Sequence, residues 1–226
     1  MDICVIIPTY NEAASIADLV KSIRGYSLDV LVIDDGSLDD TSVLAEKNGA
    51  TVIINPFNQG KGASLIKGFQ YAMDKDYDAV ITMDGDGQHS VSDIPYFIRL
   101  AGYSDSGVLI GNRMINTKNM PLIRFATNKF LSFLISFTAR QLIPDTQCGF
   151  RLIKREVLEK INLTTYKYET ETEILLQASS LGFKIESIPV KTIYEGQASR
   201  INPLVDTWRF ICFISKKLWL RRYPFR

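Results

Sequence analysis

Residues that build disulfide frameworks or soft-metal centres are scarce in this 226-residue chain. It has one histidine, His89, and three cysteines, Cys4, Cys148 and Cys212. The cysteines are odd in number and far apart, so they draw neither a disulfide framework nor a metal-binding spacing, and a reducing, cytosolic setting fits. No run approaches the ~20 uninterrupted apolar residues a bilayer span needs. The amino terminus enters a strand-like "ICVIIP" at once, leaving no room for the charged and apolar regions of a secretory signal. Low-complexity linkers and internal repeats are missing too. With 46% hydrophobic and 23% charged residues the composition is that of a soluble globular protein, which excludes disordered and fibrous classes. The length suits one sizeable domain with a closed core.

Large net charge is also lacking, but the value of +1 conceals an asymmetry. Residues 1–100 hold 15 acids and 7 Lys/Arg, whereas residues 101–226 hold 10 acids and 19 Lys/Arg. An acidic half beside a basic half suits a site with a cation on one side and phosphates on the other; scattered surface charge is the plainer reading.

The first half alternates short β-branched runs with amphipathic stretches: "ICVII" and "AASIADLVKSIR", "VLVI" and "DTSVLAEKNG", "TVII" and "ASLIKGFQYAMDK", then "AVITM". Near-continuous apolar strands joined by helices indicate a parallel sheet covered on both faces. Ligands of such sheets sit outside the carboxyl ends of the strands, where "PTYNE", "DDGS" and "DGDGQ" fall. After residue 110 longer helical stretches are expected near 121–143, 170–182 and 203–222, with a strand-like "KIESIPVKTIY" between the last two.

Asp84 and Asp86 stand one residue apart after "AVITM", and Gly85 and Gly87 permit a tight turn that turns both carboxylates toward one point. A divalent cation would relieve their repulsion, and the oxygen donors Asp84, Asp86 and Gln88 suit Mg²⁺ or Mn²⁺. A solvated acidic turn is the alternative. An EF-hand does not fit, because its glycine and glutamate positions hold His89 and Pro95. A phosphatase of the haloacid dehalogenase type shares the D-x-D-G pattern but needs a further acidic pair downstream, which is not found. His89 reads as a turn residue rather than a ligand.

The flanking motifs are weak singly. Pro8 ends the first strand, Tyr10 offers an aromatic face for a base, and Glu12 can accept hydrogen bonds; equally, Asn11 or Glu12 can serve the next helix. Asp34 and Asp35 end the second strand before a turn in which Asp39 or Asp40 caps a helix. "NQGKGAS" sets glycines, helix amides and Lys61 where an anion could approach, but it is not a P-loop. Together and in order, "PTYNE", "DDGS", "NQGKGAS", "DGDGQ", "GNR" and "DTQCGFR" resemble the family 2 glycosyltransferases, and within them the dolichyl-phosphate mannose and polyprenyl-phosphate glucose synthases.

That resemblance implies an α/β, Rossmann-like nucleotide-diphospho-sugar transferase fold of the A type, with a mostly parallel central sheet flanked by helices. It spans residues 1–203 as a catalytic domain, leaving 204–226 as a basic amphipathic helix. It implies a UDP- or GDP-sugar donor, Mg²⁺ or Mn²⁺, and inversion at the anomeric carbon. Pro8, Tyr10 and Glu12 would line the nucleotide pocket, with Asp35 on the base or ribose. Asp84 and Asp86, with Gly85 between them, would be the family's D-x-D motif, Asp86 the more direct metal ligand and Gln88 completing the set. Arg113 matches the arginine expected near the diphosphate, assisted by Arg200.

The acceptor decides whether a base is needed. A hydroxyl must lose a proton, for which Asp145, Glu169, Glu171 and Glu173 are candidates; the glutamates also suit the first turn of a helix. A polyprenyl phosphate, with a second pKa of ~6, is already anionic and needs only positioning. Arg124, Lys129 and Arg151 could do this, or could be ordinary helix-surface charges. From Trp208 onward the chain has six Lys/Arg and no acid, interleaved with aromatics. It reads as an interfacial helix at anionic lipid or as one packed on the domain, and "RFATNKFLSFLISFTARQL" has a similar character. The expectation is peripheral contact at the cytoplasmic membrane face, although the transmembrane helices of larger relatives do not follow. No nucleic-acid recognition motif accompanies the basic tail.

Overall fold

The computed structural model describes residues 1–115, 117 and 120–191; Arg200, Cys212 and the basic segment 204–226 lie outside them. Among the described residues seven strands form one sheet: β1 (Ile3–Thr9), β2 (Asp29–Asp34), β3 (Thr51–Ile54), β4 (Ala79–Thr82), β5 (Val108–Asn112), β6 (Arg151–Lys154) and β7 (Ile185–Pro189). Their order is β3-β2-β1-β4-β6-β5-β7. All pairings are parallel except those of β6, which runs antiparallel to both β4 and β5. The mostly parallel α/β sheet expected from the sequence is present. β6 is the departure: four residues, "RLIK", carry too little pattern to read as a strand, yet they fill the gap between β4 and β5.

The helices are α1 (Ile16–Arg24), α2 (Thr41–Lys47), α3 (Lys61–Asp74), α4 (Ile94–Tyr103), α5 (Leu122–Ala139), α6 (Arg155–Leu158) and α7 (Glu169–Ser180). All seven residues of β1 are buried, and since successive side chains point to opposite faces, both faces of the sheet are covered. α1 buries Ile16, Leu19, Val20 and Ile23, the spacing of a single helical stripe. Gly25 follows its last residue, and Arg24 sits favourably at the negative end of its dipole. α5 stops where Arg140 turns left-handed at φ 54°.

Register positions the site. Thr82 at the end of β4 lies level with Ile6, so the chain after it runs beside Pro8 and Thr9 at the end of β1. Met83 continues the pairing by donating to the Ile6 carbonyl at 3.1 Å. α3 lies across β1 and β2 and fixes where its first residue, Lys61, points. The close approach is made by Gly68, where an added Cβ would stand 2.5 Å from Cγ2 of the fully buried Ile6. Ile6 is β-branched and has little freedom to yield. Gly68→Val should therefore destabilise the fold by about 2 kcal/mol or more through overpacking, read as a lower urea midpoint.

Candidate active site

The loops after β1 and β2 are sewn together. Asn11 N–H donates to Ser37 Oγ at 2.9 Å, Leu38 N–H to Asn11 Oδ1 at 2.8 Å, and Glu12 N–H to Thr41 Oγ1 at 2.8 Å. Ser15 starts α1 without capping it; its hydroxyl instead donates to the Gly85 carbonyl at 2.6 Å and ties this loop to the acidic turn. Asp39 serves the start of α2, accepting from Thr41 N–H at 3.1 Å. Pro8 is buried in β1, while Tyr10 and Glu12 are half-buried just beyond it.

Asp35, expected at the base or ribose, is buried and accepts from Asn55 Nδ2 at 2.8 Å, Gln59 N–H at 2.9 Å and Gly60 N–H at 2.8 Å. These bonds shape the loop that delivers Lys61. The ammonium of Lys61 stands at the first turn of α3, where the helix dipole opposes a cation. Two carboxylates compensate: Asp84 Oδ1 at 2.5 Å and Glu171 Oε2 at 3.1 Å. Burial alone would lower the Lys61 pKa, but this pair raises it.

Asp84 is held from three sides. Lys61 takes Oδ1, His89 Nε2 lies 3.3 Å from Oδ2, and Gly149 leaves room for the carboxylate where a Cβ would come within 2.7 Å of both oxygens. Burial favours the neutral acid, yet Lys61 and His89 hold Asp84 well below the usual carboxylate range. Asp86 is supported more weakly, by the more distant charges of the same Lys61 and His89. It accepts from Gln88 N–H at 3.0 Å through Oδ1, and burial followed by the Asp84 charge raises its pKa.

The donor set accordingly fits a hard divalent cation at Asp86, with Asp84 two residues before it and Gln88 two residues after. Such a cation would cancel the repulsion that raises Asp86. Among the described residues no three His, Cys, Asp or Glu side chains cluster as a complete cage. Mg²⁺ or Mn²⁺ usually takes one or two carboxylates and leaves its other positions to water and phosphate.

The sequence places His89 in the turn after the acidic pair. It is 3% exposed, packed on Phe150 at 5.4 Å between ring centroids, with Nδ1 buried and unpartnered. Its only sequence signal was its place five residues after Asp84. Asn128 on α5 was missed as well; its Nδ2 is buried without a partner.

Arg113 and Asp145 form a buried pair, 6% and 0% exposed. Arg113 Nε donates to Oδ2 at 2.7 Å, Nη2 to Oδ1 at 2.9 Å and its backbone N–H to Oδ2 at 3.1 Å; Gln147 N–H adds a fourth bond at 3.2 Å. Four donors already engage inside the protein the carboxylate expected as a general base, which disfavours that role. Asp145 fixes the Arg113 guanidinium in place, and among the described residues it is the one hydrogen-bond partner of that guanidinium. Burial opposes ionisation of Asp145, but the Arg113 guanidinium lowers its pKa. Cys148 beside them is buried, and burial pushes its thiol up to about 12.

Arg151 also departs from both sequence readings. It is 1% exposed on β6, and its guanidinium holds the carbonyls of Cys148 at 2.8 Å, Glu171 at 2.5 Å and Thr146 at 3.0 Å. It fastens "DTQCGFR" to α7 from inside, so no incoming phosphate reaches it. Glu173 is fully buried and accepts from the backbone and hydroxyl groups of Thr164 and Thr165 at 2.8–3.0 Å. Glu171 is taken by Lys61, and Glu169 is half-buried at the start of α7. Arg124 is half-buried on α5 with no ion pair among the described residues, and Lys129 lies exposed over the Phe125 ring at 5.5 Å.

Asp145→Asn leaves a buried guanidinium unpaired and should cost about 3–5 kcal/mol at pH 7. Because the folded pKa of Asp145 is depressed, its contribution is present above the unfolded value of ~3.9 and fades as pH falls through the folded value. Urea titrations from pH 7 to 3 should show the wild-type advantage over Asp145→Asn shrinking toward the acid end.

Comparison with known proteins shows the family and the fold. The profile of Glycosyl transferase family 2 matches residues 4–162. The chain is 30% identical over 215 residues to the UDP-N-acetylglucosamine–dolichyl-phosphate N-acetylglucosaminyltransferase of Methanococcus voltae, spanning 85% of this chain and 86% of that one. Identity to the polyprenol monophosphomannose synthase of Mycolicibacterium smegmatis is also 30%, over 202 residues covering 82% and 75%. The glucosyl-3-phosphoglycerate synthase of Mycobacterium tuberculosis, solved with Mn²⁺, UDP and glucosyl-3-phosphoglycerate, shares the fold with a TM-score of 0.72 at 20% identity, covering all of this chain and 81% of that one. The chain belongs to glycosyl transferase family 2, and it is a glycosyltransferase of the A-type fold.

Proposed function

We propose that this protein moves a sugar from a UDP- or GDP-sugar to the phosphate of a polyprenyl phosphate, with a divalent cation at Asp86 and at the cytoplasmic face of a membrane. The observation that carries the reading is the under-compensated Asp86 beside a well-compensated Asp84, at strand ends that also present Arg113. The names of the relatives support the lipid-phosphate acceptor.

Breaking the sugar–phosphate bond builds negative charge on the departing nucleoside diphosphate. When bound, Mg²⁺ or Mn²⁺ supplies Lewis-acid stabilisation of that charge. Arg113 serves the same charge through its remaining N–H groups, and Asp145 keeps the guanidinium aimed without needing to move during reaction. Tyr10, Glu12 and Pro8 border the space where the nucleotide would lie, with Asp35 acting through the loop it shapes. Attack from the far face inverts the anomeric centre.

Engagement of the acids favours an acceptor that needs no base. Asp145 and Glu173 are buried and fully bonded, and Glu171 is paired with Lys61. Glu169 is the remaining candidate. A phosphate nucleophile with a second pKa of ~6 is anionic at neutral pH and needs cationic positioning only, for which Arg124 and Lys129 remain available.

The test is an acceptor and donor matrix: UDP- and GDP-sugars against polyprenyl phosphate, sugar hydroxyls and no acceptor, each with Mn²⁺ or EDTA. Glycosylated polyprenyl phosphate should form with Mn²⁺ and vanish with EDTA, and Asp86→Ala should lower kcat by at least about 10²-fold. Turnover onto hydroxyls alone would reject the acceptor. Full activity of Asp86→Ala would reject the metal site.

A further inference from the structure

α5 wears its hydrophobicity on the wrong side for a helix facing water. Leu122, Ile123, Phe130, Phe133, Phe137 and, just past the helix, Leu142 are 53–84% exposed. At 3.6 residues per turn the five within the helix, with the exposed Ala126, fall inside an arc of about 100°. The buried residues Asn128, Leu131, Ser132, Ile135 and Ala139 occupy the opposite arc. A surface helix ordinarily turns charge outward, and a contiguous stripe of large exposed side chains marks a binding face.

Charge decides what binds there. Residues 114–144 contain four Lys/Arg and no Asp or Glu. Lys129 flanks the apolar arc, and Arg140 closes the helix end, both exposed. The chain's own segment from Trp208 carries six more Lys/Arg and no acid, so laying it on α5 would bring like charges together. A second copy docking through the same face would do likewise. An anionic lipid surface is the complementary partner, with apolar side chains entering the acyl boundary and the cations meeting head groups. Among the described residues no helix is long and apolar enough to cross a membrane, so α5 would lie on the bilayer.

We infer that the outer face of α5 is the surface by which this protein docks on anionic membranes. The inference rests on the lipid-acceptor reading for its purpose. On its inner side α5 meets the site: Ser132 Oγ accepts from Thr146 N–H at 3.0 Å, next to the Asp145 that aims Arg113. Docking by the outer face therefore sets the head-group plane one helix thickness, ~10 Å, from the wall of the site.

The full chain is sedimented with vesicles of phosphatidylcholine alone or mixed with phosphatidylglycerol. Wild type should bind the mixed vesicles and be released by salt. Phe133→Glu/Phe137→Glu should partition at least about tenfold more weakly, and Phe133→Ser/Phe137→Ser should also weaken binding, which separates lost apolar contact from added charge. Both variants should keep the wild-type melting temperature and turnover on a short-chain, water-soluble polyprenyl phosphate. Absence of wild-type binding, equal binding by the variants, loss of short-chain turnover in them, or a wild-type dimer that they convert to monomers would each overturn the docking face. Vesicle binding through α5 without transfer to any polyprenyl phosphate would instead reject the acceptor and leave the docking face standing.

Discussion

Two carboxylates one residue apart at the tip of β4 repel each other, and the rest of the site is arranged around how that repulsion is divided. Asp84 receives an ammonium, an imidazole and the clearance left by Gly149. Asp86 receives one backbone N–H and a weaker share of the same two charges, and burial and its neighbour's charge outweigh them. The asymmetry gives the two acids different work: Asp84 anchors, joining β4 to α3 and through Glu171 to α7, while Asp86 keeps its demand for positive charge.

Several residues expected to touch ligands shape the site from behind. Asp35 folds the loop that carries Lys61, Arg151 locks three carbonyls, and Asp145 holds Arg113 in a fixed fork. Buried ion pairs of this kind are poor sources of net stability, because desolvation offsets attraction. Their yield is position, which suits a transferase whose leaving group needs preorganised charge. The same bonding removes most acids from service as bases and accords with a nucleophile that arrives already ionised.

The parallel core was legible because Val- and Ile-rich runs separated by amphipathic stretches allow few other architectures, and loops at strand ends then fall together by topology. β6 was not legible, since its membership comes from the gap between β4 and β5 and not from any pattern of its own. That Asp84, Asp86 and Arg113 would gather at neighbouring strand ends could be anticipated from residue type and place. The inward turn of Arg151, the engagement of Asp145 and the burial of His89 could not, because each depends on a partner far away in the chain. The outward stripe of α5 was visible only as an apolar and basic stretch; which face it turned to solvent required the packing of α7 and of the Asp145–Thr146 segment on its other side.

Asp86 is proposed to take a divalent cation that in turn meets a nucleoside diphosphate. The most direct measurement is the melting temperature of wild type and Asp86→Asn with UDP or GDP, with and without Mn²⁺, since a ligand that prefers the folded state raises it. One diphosphate with Mn²⁺ should stabilise wild type well beyond the sum of its parts, and Asp86→Asn should lose that synergy while still folding. Equal synergy in both proteins, or none with either diphosphate in wild type, would contradict the account.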